Sequence, residues 1–267
     1  MRVASLLTNG ELRLVDAGKQ ADDARDIQLD WLPVNRLCRP SSEGWGVPAT
    51  DATRIFCIGL NYMDHVAELE TDIPGEPTIF TRFPQSFTGH EQPMLLPAGS
   101  QQFDFEGELV IVIGRAGRHV SKAAALDHVF GYSVANDGTA RDFQFRSTQW
   151  TAGKNFDASG SIGPAIIPAG ELPEGARGLQ IETRLNGRTV QQSNTDALIF
   201  DVATIIHDIS QFTALRAGDL ILTGTPAGVG VSRSPQLFLQ PGDLCEVEIE
   251  GIGCLSNPIT STNTPLN

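Results

Sequence analysis

The chain has 267 residues, 19 Lys+Arg against 32 Asp+Glu, a formal net charge of -13 at pH 7, and 40% hydrophobic against 19% charged residues. That length supplies one large domain able to bury roughly three quarters of its unfolded surface, and the acidic surplus without a Lys/Arg-rich stripe excludes a nucleic-acid binder. No stretch approaches the roughly 18 apolar residues of a membrane span, and the apolar run at the N-terminus is too short for a secretory signal, so the expected compartment is the cytoplasm.

In chain order, Asn9-Gly10 lies between two short apolar runs from Val3 to Val15 and predicts a two-residue hairpin. The stretch RPSSEGWGVPA, residues 39–49, reads as a linker and places a boundary near residue 50. Residues 1–50 are then a small N-terminal β segment and linker, and 51–267 the main domain. IFCIGL from Ile55 is a buried strand, and NYMDHVAELE a helix with Asn61 at its N-cap. FEGELVIVIG from Phe105 is a strand apolar on both faces, and SKAAALDHV after it a Ser-capped helix. LQIETRLNGRTVQQ turns at Asn186-Gly187 as a hairpin. Val202, Ile205, Ile206, Ile209 and Phe212 recur at helical spacing behind Asp201 and predict an amphipathic helix packed on sheets. DLILTGTP is a buried strand entering a Gly-rich loop, and CEVEIEGIG a half-solvated strand. With 27 Gly and 16 Pro to make turns, the fold class is mainly β with a few helices (α+β). Cys38, Cys57, Cys245 and Cys254 show no CxxC spacing and are expected as buried, reduced thiols, so any metal is held by oxygen.

Candidate chemistry centres on Glu106-Gly107-Glu108. Strand alternation sends both carboxylates to one face, shared with Val110 and Val112. If buried, the pair requires a compensating cation, either a metal or Arg/Lys; if the strand end opens to solvent, two Glu need nothing. Asp137, in a turn-prone Asn-Asp-Gly after GYSVAN, offers a third carboxylate. Three oxygen ligands select a hard ion: Mg²⁺, Mn²⁺ or Ca²⁺. His65 and Glu68 share a helix face, which suits a general-base dyad and equally a surface ion pair. Arg141 and Lys154 are candidate clamps for a substrate carboxylate or oxyanion. TGTPAGVG, residues 223–230, lacks phosphate-loop spacing and reads either as a backbone nest for a carboxylate or as a plain turn.

Taken in order, GLNYMDHVAE, FDFEGELVIVIG, NDGTARDFQ, GKNFD and LTGTPAGVG resemble the fumarylacetoacetate hydrolase family over about residues 53–258. The resemblance implies a mixed β-sandwich roll of the type of that family's C-terminal domain, assembled as a homodimer around Mg²⁺ or Mn²⁺, with Ca²⁺ as a further option. It implies Glu106, Glu108 and Asp137 as metal ligands, with His65 and Glu68 as a dyad on a mobile lid. Lys154, Arg141, Gln144, Thr225 and Tyr62 are implied as groups around the substrate. Arg82 stands where many relatives carry Lys, which bears on what the pocket mouth accepts, and the short N-terminal piece is similar to the small bacterial-type members. The expected activity is hydrolysis of a C–C bond in acylpyruvate-like β-diketo acids, a small anionic keto acid being the partner and nucleic acid and membrane not. The alternatives are decarboxylation or keto–enol isomerisation of oxaloacetate or a 5-carboxymethyl-2-hydroxymuconate-type acid, and, third, a non-catalytic acid-binding protein.

Overall fold

The computed structural model describes residues 54–261, together with the backbone of strands Val3–Thr8, Glu11–Asp16 and Arg25–Asp26. The fold is the expected one, mostly strands with few helices. Its larger sheet runs in the order Arg25–Asp26, Glu11–Asp16, Val3–Thr8, Gly160–Pro168, Val129–Asn136, Gly107–Ile113, Leu220–Leu222, Ile55–Gly59, Thr78–Arg82, with Phe87–Thr88 added parallel to Gly160–Pro168. The second sheet runs Arg188–Asn194, Gln180–Leu185, Leu244–Ile249, Gly253–Ser261, Met94–Leu96. Among the described residues no helix is long and apolar enough to cross a membrane.

The strand Gly107–Ile113 organises the interior because it is buried throughout. Its odd residues Leu109, Ile111 and Ile113 join a core with Ile181 and Val247 of the second sheet and Ile205, Ile206 and Ile209 of the helix Val202–Phe212. Its even residues Val110 and Val112 join Ile55, Cys57, Leu220 and Leu222 on the other side. Each such side chain contributes roughly 1.5–3 kcal/mol, so the strand's alternation is fixed by burial on both faces. Gly107 starts the strand where the sheets approach closely. A Cβ there would lie 2.3 Å from Thr183 Oγ1 and 2.9 Å from Val247 Cγ1.

Several local expectations hold. Val3–Thr8 and Glu11–Asp16 pair antiparallel with Thr8 opposite Glu11, the register of a two-residue hairpin, although Asn9 and Gly10, like the linker at 39–49, lie outside the described residues. Leu185 pairs with Arg188 across Asn186-Gly187, both at positive φ. Asp201 caps its helix by accepting from Thr204 N–H at 2.9 Å, a bond worth about 1 kcal/mol.

Other expectations need correction. Asn61 is not an N-cap. Tyr62 occupies that position, and the buried Asn61 amide instead accepts from Phe200 N–H and donates to Phe200 and Thr223 carbonyls, because two irregular segments meet there with backbone groups to satisfy. The Ala-rich run is a 3₁₀ helix, Lys122–His128, without a Ser121 side-chain cap; its packing on helix Val202–Phe212 overrides a weak propensity. Phe212, the last residue of that helix, is 57% exposed, since the chain turns away in extended conformation at Thr213. Cys57 and Cys245 are buried free thiols, whereas Cys254 is half-buried, its Sγ 3.4 Å from Arg184 Nη2. Cys38 lies outside the described residues.

Candidate active site

The start of the central strand and its neighbour deliver three acids to one point. Glu108 is the second residue of Gly107–Ile113, Glu106 precedes that strand rather than lying in it, and Asp137 follows Val129–Asn136. The two approaches are stitched together, Glu106 N–H donating to Asn136 Oδ1 at 3.0 Å and Asp137 N–H to the Glu106 carbonyl at 2.8 Å. One carboxylate oxygen from each acid lies within 4.8 Å of the others. Exposures of 6%, 1% and 0% for Glu106, Glu108 and Asp137 rule out a strand end open to solvent.

Three cations surround them. Lys154, at the end of the short helix Thr151–Lys154, places Nζ 2.6 Å from both Glu106 Oε2 and Asp137 Oδ2. Arg141 Nη2 lies 2.7 Å from Glu106 Oε1, and its Nε donates to Asp104 Oδ2 at 2.9 Å. Arg82 Nη1 donates to Asp137 Oδ1. Burial alone would raise the Glu106 carboxyl, but Lys154 and then Arg141 hold it well below the usual range. The same burial would lower Lys154 and Arg141, and the facing acids raise both. Glu108 differs. Burial, then Asp137 and Glu106, push it well above its usual value, and among the described residues its hydrogen bond comes from Gly224 N–H at 2.7 Å. Four carboxylates, counting Asp104, thus face three cations, and among the described residues Glu108 is the one with no direct ion pair, Lys154 acting on it from farther off. An all-oxygen donor set with surplus negative charge fits a hard divalent ion.

Facing the acids, the helix Met63–Glu68 presents the dyad, with His65 Nδ1 3.2 Å from Glu68 Oε2. Glu68 Oε1 accepts from Gly228 N–H at 2.9 Å. Although partial burial raises the Glu68 carboxyl, the bonds to His65, Ser232 and Gly228 bring it below its ordinary value. Asp64 anchors the helix, accepting from Ser193 Oγ at 2.7 Å and from Ala227 N–H at 3.4 Å. The helix expected as a lid is therefore docked in this structure, with His65 only 6% exposed.

A cavity of about 130 Å³ joins these groups. Its lining combines the charged or polar His65, Glu106, Glu108, Arg141 and Lys154 with the apolar Leu69, Phe80, Phe145, Trp150, Val229 and Val231, and Lys154 Nζ lies 5.1 Å from the centre of the Phe80 ring. Gln144 and Thr225 also line it. The Gln144 Oε1 accepts from Arg141 Nη1, and the Thr225 hydroxyl lies between the Gly107 carbonyl and Gln191 Nε2.

Two expected pocket residues stand elsewhere. Arg82 is not at the mouth: 2% exposed, it lies behind Asp137, bonded also to Gly138, Ser86 and Ser159, because a buried carboxylate needs a fixed countercharge. Tyr62 packs in the main apolar core, fully buried, and does not line the cavity. The loop read as a nest does use its backbone donors on carboxylates, but on the protein's own: Gly224 on Glu108, Ala227 on Asp64, Gly228 on Glu68, and Gly230 and Val231 on Asp104. They are taken up before any ligand arrives. Asp104, Asp64, Gln191 and Trp150 escaped the sequence reading. Asp104 had a visible signal, since Asp104, Glu106 and Glu108 follow one another at strand alternation.

Comparison with known proteins places this arrangement. Residues 54–260 match the family described as fumarylacetoacetate (FAA) hydrolase C-terminal. The mitochondrial oxaloacetate tautomerase fahd2 of Xenopus laevis is 42% identical over 260 residues, covering 97% of this chain and 78% of that protein. A solved 5-carboxymethyl-2-hydroxymuconate delta-isomerase from Mycobacterium smegmatis superposes with a TM-score of 0.79 at 30% identity, covering 98% of this chain and 100% of that one. A fumarylpyruvate hydrolase from Pseudomonas aeruginosa, solved in complex with Mn²⁺ and pyruvate, gives 0.72 at 31% identity, over 89% of this chain and 100% of that one.

Proposed function

The chain belongs to the fumarylacetoacetate hydrolase family, and on that premise we propose that it catalyses keto–enol tautomerisation of a small β-oxo acid of the oxaloacetate type with a divalent cation, Mg²⁺ or Mn²⁺. The observation that carries this reading is the meeting of His65, Glu106, Glu108, Lys154 and Arg141 around one cavity, with Asp137 completing the acid cluster. Proton abstraction beside a carbonyl needs a base, an electrophile and an anion clamp, and each has a residue here. Identity of 42% to an oxaloacetate tautomerase supports this chemistry over the C–C hydrolysis that the sequence motifs put first.

Glu106, Glu108 and Asp137 would hold the cation, which supplies a Lewis acid for adjacent oxygens of the oxo acid. His65, oriented by Glu68, takes the proton from the carbon between the two carbonyl groups and delivers it to the enolate oxygen, and in the reverse direction carries it from the enol hydroxyl back to that carbon. Lys154 and Arg141 carry the only positive charges lining the cavity among the described residues, and they hold the substrate's carboxylate and developing oxyanion. The docked helix and apolar lining keep water from the exchanging proton.

One observation favours a second reading. The apolar lining residues Leu69, Phe145 and Trp150 carry no charge for a distal carboxylate, so they suit an acylpyruvate with an apolar tail, which His65 would cleave by activating a water. Following enol-oxaloacetate absorbance with Mg²⁺ and with chelator, alongside product analysis on acylpyruvates, separates the two. Metal-dependent loss of enol without release of pyruvate or carbon dioxide is the expected result. Release of two acids from an acylpyruvate, with oxaloacetate untouched, would overturn the tautomerase reading.

A further inference from the structure

The acid that binds the most donors near the site is not one of the triad. Asp104, 0% exposed, sits in the two-residue strand Phe103–Asp104, paired with Thr139–Ala140 just before Arg141. Its Oδ1 accepts from Gly230 N–H at 2.7 Å and Phe105 N–H at 2.9 Å; its Oδ2 accepts from Val231 N–H at 3.0 Å and Arg141 Nε at 2.9 Å. Fully buried and already accepting from four donors of the protein, it acts through those partners. It links two things that line the cavity: the guanidinium of Arg141, and the Val229 to Val231 edge of the apolar lining.

We infer that Asp104 is a positioning residue, which fixes the Arg141 guanidinium so that its outer edge faces the substrate anion. The Nε–carboxylate bond sets the plane of the fork. Gln144 accepts from Nη1, while Glu106 Oε1 lies 2.7 Å from Nη2 without a directed hydrogen bond, and without Asp104 the guanidinium is free to swing wholly onto Glu106. This rests on the reading above that Arg141 holds the substrate's carboxylate.

The test is oxalate binding to the Mn²⁺-loaded protein by calorimetry, which needs no turnover, for wild type, Asp104→Asn, Arg141→Gln and the double variant. D104N removes a negative charge, so a purely electrostatic role makes oxalate bind more tightly; a positioning role makes it bind more weakly. The expected result is a loss of about tenfold to a hundredfold, the usual scale for groups that orient a site residue, shrinking to less than about threefold in the R141Q background because both substitutions act through one group. Thermal unfolding and Mn²⁺ titration verify that each variant is folded. If D104N fails to fold, Asp104→Glu, which keeps the charge but displaces it by one methylene, is measured the same way and is expected to weaken oxalate at retained Tm. Unchanged or tighter oxalate binding, or an equal loss in both backgrounds, overturns the inference alone. No oxalate binding by wild type overturns the reading it rests on, and the inference with it.

Discussion

Glu108→Gln is expected to act with opposite sign on the metal-free and metal-loaded protein. In the free protein Glu108 lies within 4.8 Å of two other carboxylates. Like unit charges at that distance repel by about 3.5 kcal/mol per pair at an effective dielectric of 20. Lys154, 2.6 Å from Glu106 and from Asp137, cancels most of this, leaving about 1–2 kcal/mol for a neutral isostere to relieve. At roughly 2–4 °C per kcal/mol for a chain of this size, apo E108Q should melt about 2–8 °C above apo wild type. The gap widens with pH. Because the folded-state pKa of Glu108 is raised, the folded protein holds that proton more tightly than the unfolded chain. Wild-type stability therefore falls as pH climbs from the ordinary value of 4.5 towards the raised one, and Gln has no proton to lose. With metal the order reverses. At a hundredfold excess over Kd, wild type gains about 2.7 kcal/mol, a shift of roughly 5–10 °C, whereas E108Q, short of one ligand, gains little. Thermal unfolding with Mn²⁺ and with chelator reads all four states. Apo E108Q melting below apo wild type would refute the uncompensated charge, and an undiminished metal shift would refute Glu108 as a ligand.

Three further outcomes are expected. His65→Ala should lower kcat for enolisation by roughly 10²–10⁴-fold, the usual contribution of a positioned base, with Mn²⁺ affinity retained; an active variant would remove the base from the mechanism. Glu68→Gln should destabilise the protein near neutral pH, and less so in acid: a lowered folded-state pKa contributes stability above the ordinary value of 4.5 that is lost as pH falls through the folded value. Urea unfolding at pH 7 and pH 4 reads this, and a gap that grows in acid would contradict it. Gly59→Ala puts a Cβ 2.4 Å from Trp150 Cζ3, displacing a ring whose edge-to-face partner Phe80 is 5.3 Å away. About 1–3 kcal/mol of destabilisation from overpacking should accompany a changed preference for tail length among acylpyruvates, and unaltered selectivity would mean that Trp150 does not shape the pocket.

Much of this was legible in the residues, and what was not follows a physical pattern. Alternation along Gly107–Ile113 and the Asn186-Gly187 turn are local, so spacing and turn chemistry reveal them. The triad was legible because two of its acids alternate at the start of one strand, Glu106 just before it and Glu108 within it, and the third follows the strand paired with it. What spacing could not show is which partner a long side chain finds across the fold. Arg82 looked like a pocket residue and is instead Asp137's support, and Asn61 looked like a helix cap and instead ties together residues 139 and 162 positions away. The Gly-rich loop read as either a carboxylate nest or a plain turn; it does bind carboxylates, but they are Asp104, Glu108, Asp64 and Glu68, which no local motif predicts.

That loop also has a kinetic meaning. Its bonds to Glu108, Asp104, Glu68 and Asp64 each close a chain separation of 116 to 163 residues. No early local structure can contain them, and contacts so distant in sequence form slowly. Glu108, the His65–Glu68 pair and the Asp104 support of Arg141 all depend on these late-forming contacts, so any opening that lifts residues 224–231 loosens all three together.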